Sequence, residues 1–164
     1  MGSLRYLLIL IILSGLNACK SGKIDRKSES DLIWSAVSIN LSQELVLPNA
    51  YRTYKLNSEN FSSLLKQGLV PLPRPDGSIA MYKIEDSKVM SEELQAKFPN
   101  INSYKGYEEN NTLCQSRIDQ INHTFKIVVF CNDATIYVED LYDLGLYFVY
   151  YKNDLPEGIG TIKE

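Results

Sequence analysis

From residue 101 onward the chain is a series of short strand-like segments linked by tight turns. The segments cover residues 101–104, 112–119, 124–131, 135–138 and 146–151. Consecutive short strands with tight links favour antiparallel pairing, because parallel neighbours need long crossover connections. The pattern therefore predicts an antiparallel sheet as the main element of the fold.

The first half of the domain is expected to add further strands. Residues 32–40 and 45–47 look extended, and Trp34 is expected to pack as a core aromatic. Residues 69–72 and 78–85 form another predicted pair of strands. Between them lies Arg74-Pro75-Asp76-Gly77, a turn that places proline and glycine where their backbone dihedrals suit them.

Two short helices are predicted from their end signals. Asn57 or Ser58 can cap the first helix, and Gly68 follows as its stop. Ser91 opens the second helix, and Pro99 ends it. The first helix has one apolar stripe, formed by Phe61, Leu64 and Leu65. The predicted class is therefore α+β, a mostly antiparallel β-sheet with two short helices in a single domain.

Two cysteines flank a predicted hairpin. If Asn122-His123 is a two-residue loop, counting outward places Cys114 directly opposite Cys131. Cross-strand partners are close enough for modest adjustment to close a disulfide. Two free, buried thiols are the alternative. Neither arrangement supplies a zinc site, because the sequence contains one histidine, His123, with no second ligand cluster beside it.

The N-terminus has the features of an export signal. A short basic start precedes an apolar run over residues 6–13, which is too short to span a bilayer comfortably. Residues 14–19 then read Ser-Gly-Leu-Asn-Ala-Cys. This combination resembles the lipobox of a bacterial lipoprotein, in which Cys19 is lipidated on sulfur and, after cleavage, on its new N-terminus. An ordinary secretory signal and an uncleaved anchor are the alternatives.

These features divide the chain into four predicted parts: a lipoprotein signal peptide (1–18), a flexible tether (19–31), a domain (32–155) and a disordered tail (156–164). The tether is polar and charged, with Ile24 as its one large aliphatic residue. The formal net charge of -3, without a basic stripe, argues against nucleic acid as a partner. We expect an envelope protein, held on the outer membrane and facing the periplasm.

A set of short motifs runs through the domain in a fixed order. They are Tyr51-Arg52-Thr53-Tyr54-Lys55-Leu56, residues 61–67, Pro75-Asp76-Gly77-Ser78, Val89-Met90, Glu93-Leu94, residues 96–101, Tyr104-x-Gly106, Arg117-x-Asp119, residues 137–142 and residues 150–155. Together they resemble the N-terminal, propeptide-like region of secreted bacterial zinc metalloproteases with a reprolysin-like catalytic domain. The resemblance covers residues 34–155 and implies a domain that covers or templates such a protease.

The chain also departs from that family. It has Phe125-Lys126 where the family often has phenylalanine-histidine. In place of the family's acidic, proline-containing loop it has Glu108-Glu109-Asn110-Asn111-Thr112. Cys114 and Cys131 are additions to the family's pattern. The His-Glu-x-x-His motif of the catalytic domain is missing from the sequence. The resemblance therefore implies a non-enzymatic lipoprotein that binds a protein partner, a metalloprotease, as an inhibitory or chaperone-like prodomain.

Other functions remain as alternatives. The chain could be a structural or accessory envelope lipoprotein, or a remnant of a truncated metalloprotease. A catalytic role for His123 lacks a motif around any candidate serine. Four acids could hold calcium or act as a carboxylate pair, although they lack the spacing of an EF-hand loop: Asp133, Glu139, Asp140 and Asp143. No cofactor, metal or small-molecule substrate is expected.

Overall fold

The computed structural model describes residues 30, 32–39, 46–141 and 145–158. Nine strands lie within these residues: β1 Trp34–Ala36, β2 Arg52–Leu56, β3 Leu69–Pro73, β4 Ile79–Asp86, β5 Ile101–Glu108, β6 Asn111–Ile121, β7 Thr124–Phe130, β8 Thr135–Asp140 and β9 Leu146–Tyr151. Helix α1 covers Ser58–Gln67, helix α2 covers Glu92–Lys97, and a 3-10 turn covers Lys152–Asp154. The predicted signal peptide, Cys19 and nearly all of the tether lie outside the described residues.

All nine strands belong to one antiparallel sheet, in the order β1-β2-β9-β8-β7-β6-β5-β4-β3. Strands β3 to β9 follow one another as neighbours, and β2 then pairs with β9 through the register Thr53↔Phe148. The two outer strands approach each other, because Trp34 Nε1 on β1 donates a hydrogen bond to the Pro71 carbonyl on β3 at 2.8 Å. The sheet is therefore a nearly closed barrel.

The predicted α+β class is wrong. The hydrophobic core lies inside the curled sheet, so no separate helical layer is needed to cover it. Helix α1 contributes Phe61 and Leu65 to this core, whereas α2 buries no residue. Antiparallel pairing and two short helices were predicted and are present, but the barrel-like closure was not foreseen.

Aromatic side chains fill the barrel around Trp34, which lies in the core as the sequence predicted. Its ring makes edge contacts with Phe61 at 5.5 Å and with Tyr147 at 5.4 Å between centroids. Phe61 also contacts Phe125 on β7 at 5.0 Å. Edge-to-face pairs of this kind add to the stabilisation from burial. Helix α1 is thereby fixed against β1 and β7 of the wall.

The helix-end signals in the sequence are confirmed. Asn57 Oδ1 accepts a hydrogen bond from the Asn60 amide at 3.1 Å, and Gly68 ends α1 with a φ of 81°. Ser91 caps α2, which ends before Pro99. A strand over residues 45–47 was also predicted, but residues 46 and 47 are not in a strand and residue 45 lies outside the described residues.

The connections between strands alternate between two ends of the barrel. Helices α1 and α2, the turn at residues 122–123, and Leu141 and Gly145 beyond the ends of β8 and β9 lie at one end, which we call the helical end. The turns at residues 74–78, 109–110 and 131–134 and the 3-10 turn lie at the other, which we call the open end. Among the described residues, no helix has the length and apolar character to cross a membrane.

Candidate functional site

A cavity of about 790 Å³ lies at the open end of the barrel. Its wall combines Arg74, the amide side chains of Asn111 and Asn132, and the aromatic ring of Tyr151. Cys114 and Cys131 form part of the same wall. The lining therefore offers hydrogen-bond donors and acceptors beside apolar surface, which suits recognition of a mixed polar and apolar group.

An ion pair stands beside this cavity. Arg74 Nη2 donates to Glu108 Oε2, and the pair joins the β3–β4 turn to the end of β5. The side chains are 27% and 11% exposed, respectively. Burial by itself lowers the pKa of the Arg74 guanidinium, but Glu108 and Tyr82 outweigh that effect and leave the pKa raised. Arg74 therefore stays charged at the cavity wall.

Tyr82 lies in the barrel interior next to this ion pair and is 1% exposed. Burial raises the pKa of its hydroxyl, and the negative charge of Glu108 raises it further. Arg74 acts in the opposite direction. The hydroxyl therefore stays protonated at neutral pH and cannot serve as a base there.

The cysteine hairpin forms as the sequence predicted. Ile121 pairs with Thr124 across the two-residue turn, and Asn122 adopts a φ of 55°. The sulfur atoms of Cys114 and Cys131 are 2.00 Å apart, the distance of a disulfide bond. The cysteine pair joins β6 to the chain just beyond β7 at the rim of the cavity.

His123 lies at the helical end, away from the cavity. It is exposed in the turn between β6 and β7. A nucleophile needs a base within hydrogen-bond reach, and the open-end cavity is not lined by this histidine. The placement gives no support to a catalytic role for His123 in that cavity.

The acidic residues considered for calcium do not form one cluster. Asp133 is exposed in the loop before β8, whereas Glu139 is buried on β8. Tyr150 Oη donates to Glu139 Oε2, and Lys126 Nζ lies 3.4 Å from Glu139 Oε1. Asp140 follows on the same strand, and Asp143 lies outside the described residues. Within the described part of the chain, no group of three or more His, Cys, Asp or Glu side chains could hold a metal ion.

The Tyr104-x-Gly106 and Arg117-x-Asp119 motifs lie on the paired strands β5 and β6. A Cβ atom at Gly106 would lie 2.2 Å from the Lys83 carbonyl oxygen, so the wall requires glycine there. Arg117 Nε lies 3.5 Å from Asp119 Oδ2. Both contacts are made between residues of the barrel wall, and the Arg117–Asp119 contact lies on its exposed face.

The Pro75-Asp76-Gly77-Ser78 motif forms the β3–β4 turn. Asp76 Oδ1 accepts hydrogen bonds from the Ser78 amide at 2.8 Å and from its hydroxyl at 2.6 Å. Arg52 on β2 donates to the Pro75 carbonyl at 2.9 Å and to the Asp76 carbonyl at 3.1 Å. The hydrogen bonds from Arg52 therefore connect β2 to the β3–β4 turn across the gap between the outer strands β1 and β3.

Three large apolar side chains are exposed near the open end of the barrel, and one of them, Leu113, also lines the cavity. Tyr107, Leu113 and Phe130, which we call the rim patch, are between 43% and 62% exposed. Tyr107 pairs with Gln115 on β6, and Gln115 pairs with Phe130 on β7. Leu113 is exposed two residues before Gln115, where the pairing of β5 with β6 shifts register between Tyr107 and Glu108. The rim patch is thus one outward-facing surface across three adjacent strands.

Comparisons of the chain with protein-family models, with curated proteins and with solved structures found no significant match. The resemblance to a metalloprotease propeptide region therefore stays a prediction from the residues.

Proposed function

We propose that this protein is a non-catalytic, lipid-anchored component of the bacterial cell envelope that binds a protein partner at the open end of its barrel. The proposed partner is a zinc metalloprotease, which the domain inhibits or chaperones. The partner class comes from the sequence resemblance over residues 34–155, and the anchor from the lipobox that ends at Cys19. The open end is proposed as the binding surface because the rim patch and the cavity lie there.

The rim patch is the observation that supports a protein partner. The patch meets the amide-lined cavity at Leu113, so an exposed apolar surface borders hydrogen-bonding groups. Protein interfaces commonly combine a desolvated apolar core with a polar rim, and aromatic residues are enriched among them. Leu113 belongs to both features, because it is exposed and also lines the cavity.

A non-catalytic role fits the distribution of reactive groups. The chain has one histidine, whereas the zinc site of the resembled protease class needs at least two. That histidine, His123, is exposed at the opposite end of the barrel from the cavity. Arg74 and Glu108 are engaged with each other rather than arranged beside a nucleophile.

The test is inhibition of metalloproteases from the same bacterium by the mature domain, residues 20–164. We expect saturable inhibition or a stable complex, and a Leu113→Ser/Phe130→Ser variant should weaken binding at least about tenfold, as for loss of hot-spot side chains. A matched control is Val89→Ser/Leu94→Ser, which removes two exposed apolar side chains at the helical end and should bind normally.

Absence of inhibition and of complex formation by a folded domain would contradict the metalloprotease partner. It would leave the structural or accessory lipoprotein as the better explanation. Equal weakening by both double variants would contradict the rim patch as the binding surface. A His-Glu-x-x-His segment encoded directly downstream of the gene would instead favour a truncated protease.

A further inference from the structure

We propose that the helical end of the barrel lies against the lipid bilayer, with an apolar corner of the α2 region inserted into the headgroup layer. The open end and its rim patch then point away from the membrane. This inference rests on the proposed lipid anchor at Cys19.

The described chain enters the barrel at the helical end. Ile33 immediately precedes β1, and its carbonyl accepts a hydrogen bond from the Asn57 amide at 2.9 Å. Asn57 caps α1, so the first residues of the domain lie against the start of that helix. Any anchor upstream of residue 30 therefore joins the barrel at the helical end.

The short connection to Cys19 favours this orientation. Ten residues separate Cys19 from Ser30, and ten residues reach at most roughly 36 Å when fully extended. Strand β6 has 11 residues and is itself about 36 Å long. Because barrel strands tilt by about 35–45°, the open end lies roughly 25–30 Å beyond the helical end. The helical end can thus reach the bilayer with a slack connection, whereas the open end would take up most of the reach of the connection, which costs chain entropy.

The apolar corner consists of Val89, Leu94, Phe98 and Ile121. Each is at least 41% exposed, and α2 buries none of its residues in the barrel. The Asn122 amide donates to the Asn100 carbonyl at 3.0 Å, which places the β6–β7 turn beside the chain that follows α2. The four side chains thus come from two connections that meet at one end of the barrel.

Charge at the corner is compatible with a membrane surface. Lys97 Nζ pairs with Glu93 Oε1 at 2.7 Å, which offsets one of the two acids in the first turn of α2. The sequence between Cys19 and the barrel contains four cations, Lys20, Lys23, Arg26 and Lys27, and three acids, Asp25, Glu29 and Asp31, so that its net charge is +1 and its first half carries the excess of cations. Cations near anionic lipid headgroups strengthen the contact of an apolar face with the interface.

The test uses the full chain purified with its native modification from bacterial membranes, so that mass spectrometry first measures the lipid on Cys19. A single introduced cysteine is then labelled with an environment-sensitive fluorophore, in Val89→Cys or Phe98→Cys at the corner and in Tyr107→Cys at the rim as the matched control. Each protein is placed in vesicles of phosphatidylethanolamine and phosphatidylglycerol that carry spin-labelled lipids as quenchers.

We expect quenching at positions 89 and 98 to exceed that at 107 by about twofold or more, because an interfacial apolar face lies roughly 5–10 Å into the headgroup boundary. Adding Leu94→Ser to the Val89→Cys protein should reduce quenching there, whereas Leu113→Ser should not. Lipid on Cys19 with equal quenching at both ends would overturn the orientation alone. A mass without lipid would overturn the anchor in the proposed function as well.

Discussion

Single residues determine how closely the strands of the barrel wall can approach. At Gly106 the absence of a side chain lets β5 pack against β4, because a Cβ atom would meet Lys83 oxygen at 2.2 Å and Ile84 Cδ1 at 2.5 Å. At Gly145 the requirement is different, since its φ is +65° and a Cβ atom would have no neighbour within 4 Å. Substitution of alanine at each glycine therefore distinguishes the cost of a steric clash, at Gly106, from the cost of a left-handed backbone conformation, at Gly145.

We predict that Gly106→Ala lowers the free energy of unfolding by about 3 kcal/mol, the upper part of the range for overpacking. Gly145→Ala should cost only about 1 kcal/mol, the strain of a left-handed residue with a side chain. Urea denaturation of both variants measures the difference. Similar losses in the two proteins would mean that the close contact at Gly106 is relieved by movement of the wall.

Asp76 gives a pH dependence that can be assigned to one residue. Two hydrogen bonds hold the pKa of Asp76 below the ordinary value of 3.8. The larger effect comes from the Ser78 hydroxyl and the smaller one from the Ser78 amide. Since the pKa is lower in the folded state, the charge stabilises the fold above the unfolded pKa, and this contribution is lost as pH falls through the folded pKa.

We therefore expect the stability advantage of the natural protein over Asp76→Asn to shrink below pH 3.8. NMR titration should also show that Ser78→Ala raises the pKa of Asp76, because the side-chain hydrogen bond is removed. An unchanged pKa in Ser78→Ala would show that the backbone hydrogen bond is sufficient.

At the scale of elements, local signals predicted the hairpin and helix ends well. Asn57 and Gly68 act on residues three or four positions away, so the sequence alone specifies the cap and stop of α1. The Asn122-His123 turn likewise set the register that brings Cys114 opposite Cys131. The Arg74–Glu108 pair had no local signal, because 34 positions separate its members and only the sheet brings them together.

The cysteine pair gives a prediction at this scale. Its sequence separation is 17, and closing a loop of this length contributes about 3 kcal/mol in the chain-entropy model. Cys114→Ser/Cys131→Ser should lower the free energy of unfolding by about that amount in urea. Reduction of the natural protein should give the same loss, and an unchanged midpoint in both experiments would exclude a stabilising disulfide.

At the scale of the whole molecule, Trp34 joins the two outer strands of the sheet. Its hydrogen bond to the Pro71 carbonyl connects positions 37 apart in sequence, and its ring lies among core aromatics. The α+β prediction failed at this scale, because the pairing of β2 with β9 and the approach of β1 to β3 depend on contacts that no neighbouring residues specify. Local patterns identified the strands but not their closure.

Trp34→Phe should lower the free energy of unfolding by about 2–4 kcal/mol, because the hydrogen bond is lost and the buried Pro71 carbonyl keeps no equivalent donor. Hydrogen exchange should rise in β1 and β3 while β6 and β7 keep their protection. Arg52→Ala is the control, since its contacts with the β3–β4 turn are exposed and should cost less than about 1 kcal/mol. An equal rise in hydrogen exchange in all strands of the Trp34→Phe protein would contradict a local role for Trp34.

The pairing of β2 with β9 also has a consequence for the order of folding. Strands β3 to β9 can form successive hairpins as each one follows the last in the chain. Strands β1 and β2 are synthesised before them, yet β2 finds its partner only when residues 146–149 of β9 are present. Long-range pairing of this kind is slow to form. The free edge of β2 must therefore wait for the last strand, and until that strand is present an unpaired N-terminal edge is exposed to other chains.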